Sequence, residues 1–172
     1  NVRVIDDFNK KMHGSIIVEH GEVQVSRKVV GYKKIKFYTS ENVGYGDVTL
    51  PEKDMHTTSY WFTIPWDLLD FLELSREDII DGLSGLAYCL HHISAMLVMS
   101  DIRDIDRCIG DKSGEWFVRY GKDRRVITAT PGQPTNVMDN AYDPTVFIFD
   151  AYPGGSGFSD LLFATHDELI LA

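Results

Sequence analysis

The sequence predicts an α+β fold: an N-terminal antiparallel sheet or partial barrel, then a helical half built on one long helix. Three observations predict it. Residues 1–64 alternate apolar and polar positions between spaced glycines. The stretch from 76 to 99 repeats apolar residues at three- and four-residue steps. "FIFDAYPGGSGFSDLLF", residues 147–163, runs from an apolar strand through a glycine turn into a helix start. The helical segments follow the strands rather than alternating with them, which separates α+β from α/β.

Within the β-rich part, "GSIIVEHGEVQVSRKVVGYKKIKFYT" puts Val23, Val25, Val29, Ile35 and Phe37 at expected inward positions. Gly14, Gly21 and Gly31 punctuate it at hairpin spacing, with His20-Gly21 as a turn. "GYGDVTLPEKDMH" is a polar connection, and "TTSYWFTI" is a strand of aromatic and β-branched residues. Pro65 ends that strand and opens a short helix, "WDLLDFLEL". Ser75-Arg76-Glu77-Asp78 has the form of a capping box. Behind it Ile79, Leu83, Leu86, Leu90, Ile93 and Leu97, widened by Ile80, Ala87 and Met96, predict a central helix over about 76–99, packed on more than one side. "SDIRDIDRCIGDKSGEW" is acidic and turn-rich, and "EWFVRYGKDRRVITATPG" supplies strand, turn and strand around Gly121-Lys122-Asp123. After the loop "QPTNVMDNAYDP", Thr145–Phe149 is a short buried strand and Ser159–Ala172 a closing helix. The expected division is a β-rich subdomain, 1–64, and a mainly helical one, 65–172, in one compact unit.

The net charge of -9 over 172 residues disfavours a broad nucleic-acid footprint, which needs surplus lysine and arginine, but leaves room for a local basic patch. Nothing approaches the roughly 18 uninterrupted apolar residues of a membrane span. Cys89 and Cys108 stand in no CxxC pair and are expected as buried, reduced thiols of a cytoplasmic protein. The opening "NVRVIDD" carries no targeting segment and starts as though inside a longer chain.

The 147–163 stretch is the first candidate for chemistry. A glycine turn before a helix N-terminus exposes backbone N–H groups to an anion. A nucleotide loop of the Walker type also needs a lysine followed by Ser or Thr, whereas Gly157 is followed by Phe158 and Ser159. Asp150, Pro153, Gly154, Gly155 and Gly157 therefore form either a structural turn that docks Tyr152 and Phe158 into the core or an anion-binding turn for a DNA phosphate. His91-His92 with Asp101, Asp104 and Asp106 could suggest a metal-dependent nuclease. However, adjacent helical residues point about 100° apart, and the more natural expectation is an acidic loop beyond a helix with one partly buried His. Gly155-Ser156-Gly157 lacks the flanking pattern of a serine nucleophile elbow.

Two basic clusters remain. Arg27, Lys28, Lys33, Lys34 and Lys36 interleave with Tyr32, Phe37 and Tyr38, and Arg119, Lys122, Arg124 and Arg125 crowd a hairpin beside Trp116 and Tyr120. Cations that track a backbone and rings that stack on bases are the means of binding single-stranded nucleic acid. Arg119, Lys122, Arg124, Arg125, Lys33 and Lys34 are the DNA-contact candidates. The alternative is an ordinary solvated strand face.

Three stretches, "TTSYWFTIP", "GLSGLAYCLHHISAMLVMSDIRDI" and above all "PTVFIFDAYPGGSGFSDLLF", occur in an order and spacing that resemble one known region. It is the C-terminal domain of unknown function of DEAD/DEAH-box-like superfamily 2 DNA helicases of the mitomycin repair factor A type. The resemblance covers about Gly31 to the end. It implies an ATP-dependent 3′-to-5′ DNA helicase or translocase acting in DNA repair, with two RecA-like motor domains upstream as intramolecular partners and DNA as the external one. No Walker lysine, DEAD/DEAH box or arginine-finger motif stands in this sequence, so ATP and magnesium would belong to the parent protein and this part would be non-catalytic. The family also has four zinc-binding cysteines shortly after the turn's helix. The sequence stops at Leu171-Ala172 before that point, and Cys89 and Cys108 do not match them, so no metal residue is assigned. Purely intramolecular packing on the motor is the alternative function.

Overall fold

A computed structural model describes residues 1–29, 31–73, 76–113 and 143–171. Its strands are β1 (Val2–His13), β2 (Ile16–Arg27), β3 (Gly31–Ile35), β4 (Asn42–Asp47), β5 (Lys53–Thr63), β6 (Ile105–Gly110) and β7 (Thr145–Asp150). Its helices are α1 (Trp66–Phe71), α2 (Arg76–Leu97), α3 (Phe158–Ala164) and α4 (His166–Leu171). Five strands form one antiparallel sheet in the order β1-β2-β5-β7-β6, and β3 and β4 pair separately as a ribbon. The sheet curls far enough for the Val4 N–H, on β1, to donate to the Lys112 carbonyl just past β6 at 3.1 Å.

Alternation along the strands gives the sheet two apolar faces. Val18, Tyr60, Phe62, Val146, Ile148 and Ile105 pack with the helices, while Val2, Val23, Val25, Trp61, Phe147 and Phe149 fill the other face. With both faces covered, β7 is buried along its whole length, which is why "TVFIF" is a continuous apolar run rather than an alternating one. Glu19 lies among these buried residues. It accepts the Trp61 indole N–H at 2.9 Å and pairs with Lys112 and, at 3.5 Å, with Lys10. A buried carboxylate persists only with such compensation.

Several expectations are corrected. His20-Gly21 is not a turn: both lie inside β2, where Gly21 faces Asp7. A Cβ on Gly21 would stand 2.0 Å from the Asp6 carbonyl oxygen, so this glycine serves a close backbone approach beside a β-bulge. The turn is at Gly14, at φ 60°. Val23 and Val25 are buried, but Val29, Ile35 and Phe37 are exposed, because the chain beyond Arg27 leaves the sheet for the ribbon. Part of the polar connection is β4, and the acidic segment contains β6.

Helix α2 buries Ile79, Leu83, Ala87, Leu90, His91, Ser94 and Ala95 in one broad stripe, continued by Val98 just past its end. Leu86 and Met96 lie outside that stripe and are exposed, so the expected packing on more than one side is not seen among the described residues. Ser75 of the expected capping box, and the expected hairpin around Gly121, lie outside the described residues. The closing helix is two short ones. The Thr165 N–H and hydroxyl both donate to the Leu161 carbonyl at 2.9 Å and stop α3, while the Thr165 carbonyl accepts from Glu168 and Leu169 and starts α4.

Candidate nucleic-acid surface and the Asp150 turn

The glycine turn is built around Asp150, which is fully buried at the end of β7. Its Oδ1 accepts the Ser159 N–H at 2.9 Å, and its Oδ2 accepts the Gly157 N–H at 2.8 Å, the Ser156 N–H and the Thr58 hydroxyl at 3.3 Å. The backbone donors that a helix start offers to an anion are thus taken by a carboxylate from the same motif. A phosphate arriving here would have to displace Asp150. Gly154, Gly155 and Gly157 have φ of +82°, +82° and +84°, and a Cβ on Gly155 would come 2.2 Å from Thr58 Oγ1. Glycine is required at 155 by both conformation and space. Pro153 is exposed on the rim of the turn.

Phe158 packs partly buried against the helix-side core, as expected, but Tyr152 does not enter it. Its ring is half-exposed and its hydroxyl donates to Asp104 Oδ1 at 3.0 Å, which raises the Tyr152 pKa. The neighbouring Asp101 is held down to about 2 by hydrogen bonds from the Arg103 side chain and N–H. The acidic groups are each paired: Asp101 with Arg103 inside the loop, Asp104 with Tyr152 of the turn, and Asp106 with Arg27 of β2 at 2.5 Å.

His91 is committed to structure. Its Nε2–H points at the carbonyls of Ile102 and Ile105, at 3.0 and 2.9 Å, which leaves Nδ1 to accept from Arg107 Nη1 at 2.7 Å. With both nitrogens engaged it offers no lone pair to a metal. The Arg107 guanidinium also lies 5.0 Å from the Tyr88 ring centre. Arg107, Arg27, Arg103 and His92 line an open groove of about 450 Å³ beside β6. Sequence reasoning missed this groove. The available signal was two arginines, Arg103 and Arg107, set in the acidic stretch that follows the helix carrying Tyr88 and His91.

The first basic cluster is divided by the fold. Arg27 turns to the groove, whereas Lys33, Lys34 and Lys36 stand on the exposed β3–β4 ribbon. There the Tyr32 ring covers Gly46, where a Cβ would fall 2.5 Å from a ring carbon, and Lys34 Nζ is 5.7 Å from the ring centre. Lys33 pairs across the ribbon with Tyr45, while Phe37 and Tyr38 meet edge-to-face at 5.1 Å and are 88% and 93% exposed. Arg119, Lys122, Arg124 and Arg125 lie outside the described residues.

The cysteines are not a buried pair. Cys108 is half-buried against the Trp61 face, where burial pushes its thiol pKa up, but Cys89 is exposed on the solvent side of α2. Among the described residues they join no group of metal-ligating side chains, and no helix is long and apolar enough to cross a membrane.

No family model matches the chain. A curated relative does: the uncharacterized ATP-dependent helicase YprA of Bacillus subtilis (strain 168) is 28% identical over 165 residues, 96% of this chain. The chain is homologous to a segment of a helicase. It spans 18% of YprA's length. In fold it matches the crystal structure of the DUF1998 helicase MrfA bound to DNA, with a TM-score of 0.65 and 23% identity over 98% of this chain and 19% of that one. A second crystal structure of the DUF1998 helicase MrfA gives a TM-score of 0.51 at 19% identity over 98% of this chain and 18% of that one.

Proposed function

We propose that this chain is a non-catalytic accessory region of an ATP-dependent DNA helicase acting in DNA repair, packing on RecA-like motor domains and contacting DNA. One observation carries the reading: 96% of the chain aligns with a helicase of which it makes up only 18%. The motor and its ATP and magnesium would reside in the remainder. The Asp150 turn supports the non-catalytic part, since its own carboxylate holds the donors a nucleotide phosphate would need.

The DNA contact is assigned to the β3–β4 ribbon and to the basic residues Arg119, Lys122, Arg124 and Arg125. On the ribbon, Tyr32 offers a ring with Lys34 beside it, and Lys33 a second cation, an arrangement suited to a single strand. The test is single-stranded DNA binding against salt, in the helicase that carries this region. Replacing Lys33 and Lys34 together by Ala should lower the log–log salt slope by roughly 1 to 2, and replacing the other four should lower it further. Slopes equal to the parent's in both variants reject the assignment.

A second reading, an intramolecular packing module without DNA contact, is favoured by one observation. Leu86, Tyr88 and Met96 on α2, and Met99 just beyond it, are exposed. Met96→Asp with Leu86→Asp should then loosen docking on the motor domains while salt slopes stay unchanged.

A further inference from the structure

The buried end of α4 contains an unexplained nitrogen. His166 is 3% exposed, and its Nδ1 meets the Tyr60 hydroxyl at 2.7 Å. Its Nε2 is buried with no hydrogen-bond partner. Tyr60 is itself fully buried between strand and helices, so this bond fixes the imidazole ring. A buried polar atom without a partner is rare because desolvation is then uncompensated, and an ion is one of its standard explanations.

Two further donors stand beside it. The His13 ring, at the end of β1, meets the His166 ring edge-to-face at 5.1 Å, and Asp167 follows His166 in the chain. His13 Nδ1 is 3.9 Å from Asp167 Oδ1, and one ligand atom from each of the three residues lies within 4.8 Å of the others. We propose that His13, His166 and Asp167 form a zinc site that clasps the β1–β2 hairpin to α4, with the fourth position open to water.

The chemistry suits the ion. Two imidazoles, borderline donors, with one carboxylate oxygen are a set zinc accepts, and three ligands leave one position for solvent. Bonds of about 2.0–2.1 Å in tetrahedral geometry set ligand atoms about 3.3 Å apart. His13 and Asp167 are exposed enough to close that gap by side-chain rotation while His166 stays fixed. With Nε2 on the ion, Nδ1 carries the proton and donates to Tyr60 Oη, the outer hydrogen bond that orients a ligating histidine. Lys11, the cation whose field reaches His166, is held away on the Phe163 carbonyl at 3.0 Å.

Zinc titration of the purified chain by calorimetry, repeated with cobalt for its absorption spectrum, tests the site. The expected result is one zinc per chain, a rise in melting temperature reversed by chelator, and a cobalt spectrum without thiolate charge-transfer bands. His13→Ala and Asp167→Asn, surface changes that leave Tyr60 in place, should each weaken zinc at least about tenfold and abolish the thermal shift. Absence of binding overturns the proposal. So does a thiolate band, or a His13→Ala variant that binds as tightly as the parent.

Discussion

The Asp150 turn and the β3–β4 ribbon are both glycine-rich, aromatic and polar, and the fold treats them oppositely. In the turn Gly155 clears space for Thr58, and the N–H groups of Ser156, Gly157 and Ser159 converge on one buried carboxylate. In the ribbon Gly46 faces the Tyr32 ring and Gly44 faces open space, and the aromatic and lysine side chains are exposed. The difference lies in where polarity is satisfied. A motif that supplies its own counter-charge closes on itself, whereas one that supplies only cations and rings stays available to a partner.

Removing the turn's counter-charge should break this contrast most severely. Asp150→Ala strands the Ser156, Gly157 and Ser159 N–H groups, and unfolding free energy should fall by about 3–5 kcal/mol in urea titration. Gly155→Ala forces a side chain into a left-handed backbone against Thr58, at a cost of about 2 kcal/mol. Adding Thr58→Ala should recover part of that, visible as coupling in a double-mutant cycle.

Acidity offers a milder probe of the closed region. His20 is buried between the Phe8 and Phe163 rings, with the Asp160 carboxylate 3.9 Å away and Asp150 acting from farther off. Burial is the larger influence and lowers its pKa below 6.5. The unfolded chain therefore takes up the proton first, so the stability His20 contributes is complete above 6.5 and declines as pH falls below that value. Denaturation midpoints at pH 7.5 and 5.5 should show the decline, and His20→Phe should flatten it. The smallest stability effect belongs to the ribbon: Lys33→Ala with Lys34→Ala should change unfolding free energy by no more than about 0.5 kcal/mol. A larger loss would mean the ribbon is packed rather than available.

Much of the fold was legible where one physical demand dominates a segment. "TTSYWFTI" and "TVFIF" declare their burial, and the α2 stripe declares its period. β6 was hidden because Asp106 and Arg107 bring charges into a strand whose flank opens onto the groove. β4 was hidden because it carries two poor strand formers, Gly44, at φ +143°, and Gly46, which lies under the Tyr32 ring. The 147–163 stretch suggested an anion site, but sequence alone did not reveal that Asp150, inside the motif, was the anion. His13 and His166 come from opposite ends of the chain, and no local pattern joins them.

The contact between Val4 and Lys112 has a consequence for life in a crowded solution. Each outer strand of an open sheet is a template on which another chain can add itself, and from there aggregates grow. Here the two rims lean together until one donates to the other. Bulges near Asp6 and Asp7 interrupt the first rim, and Lys10 and Lys11 add charge along it. Among the described residues, this five-stranded sheet offers a stray strand no long, flat, unguarded margin on which to grow.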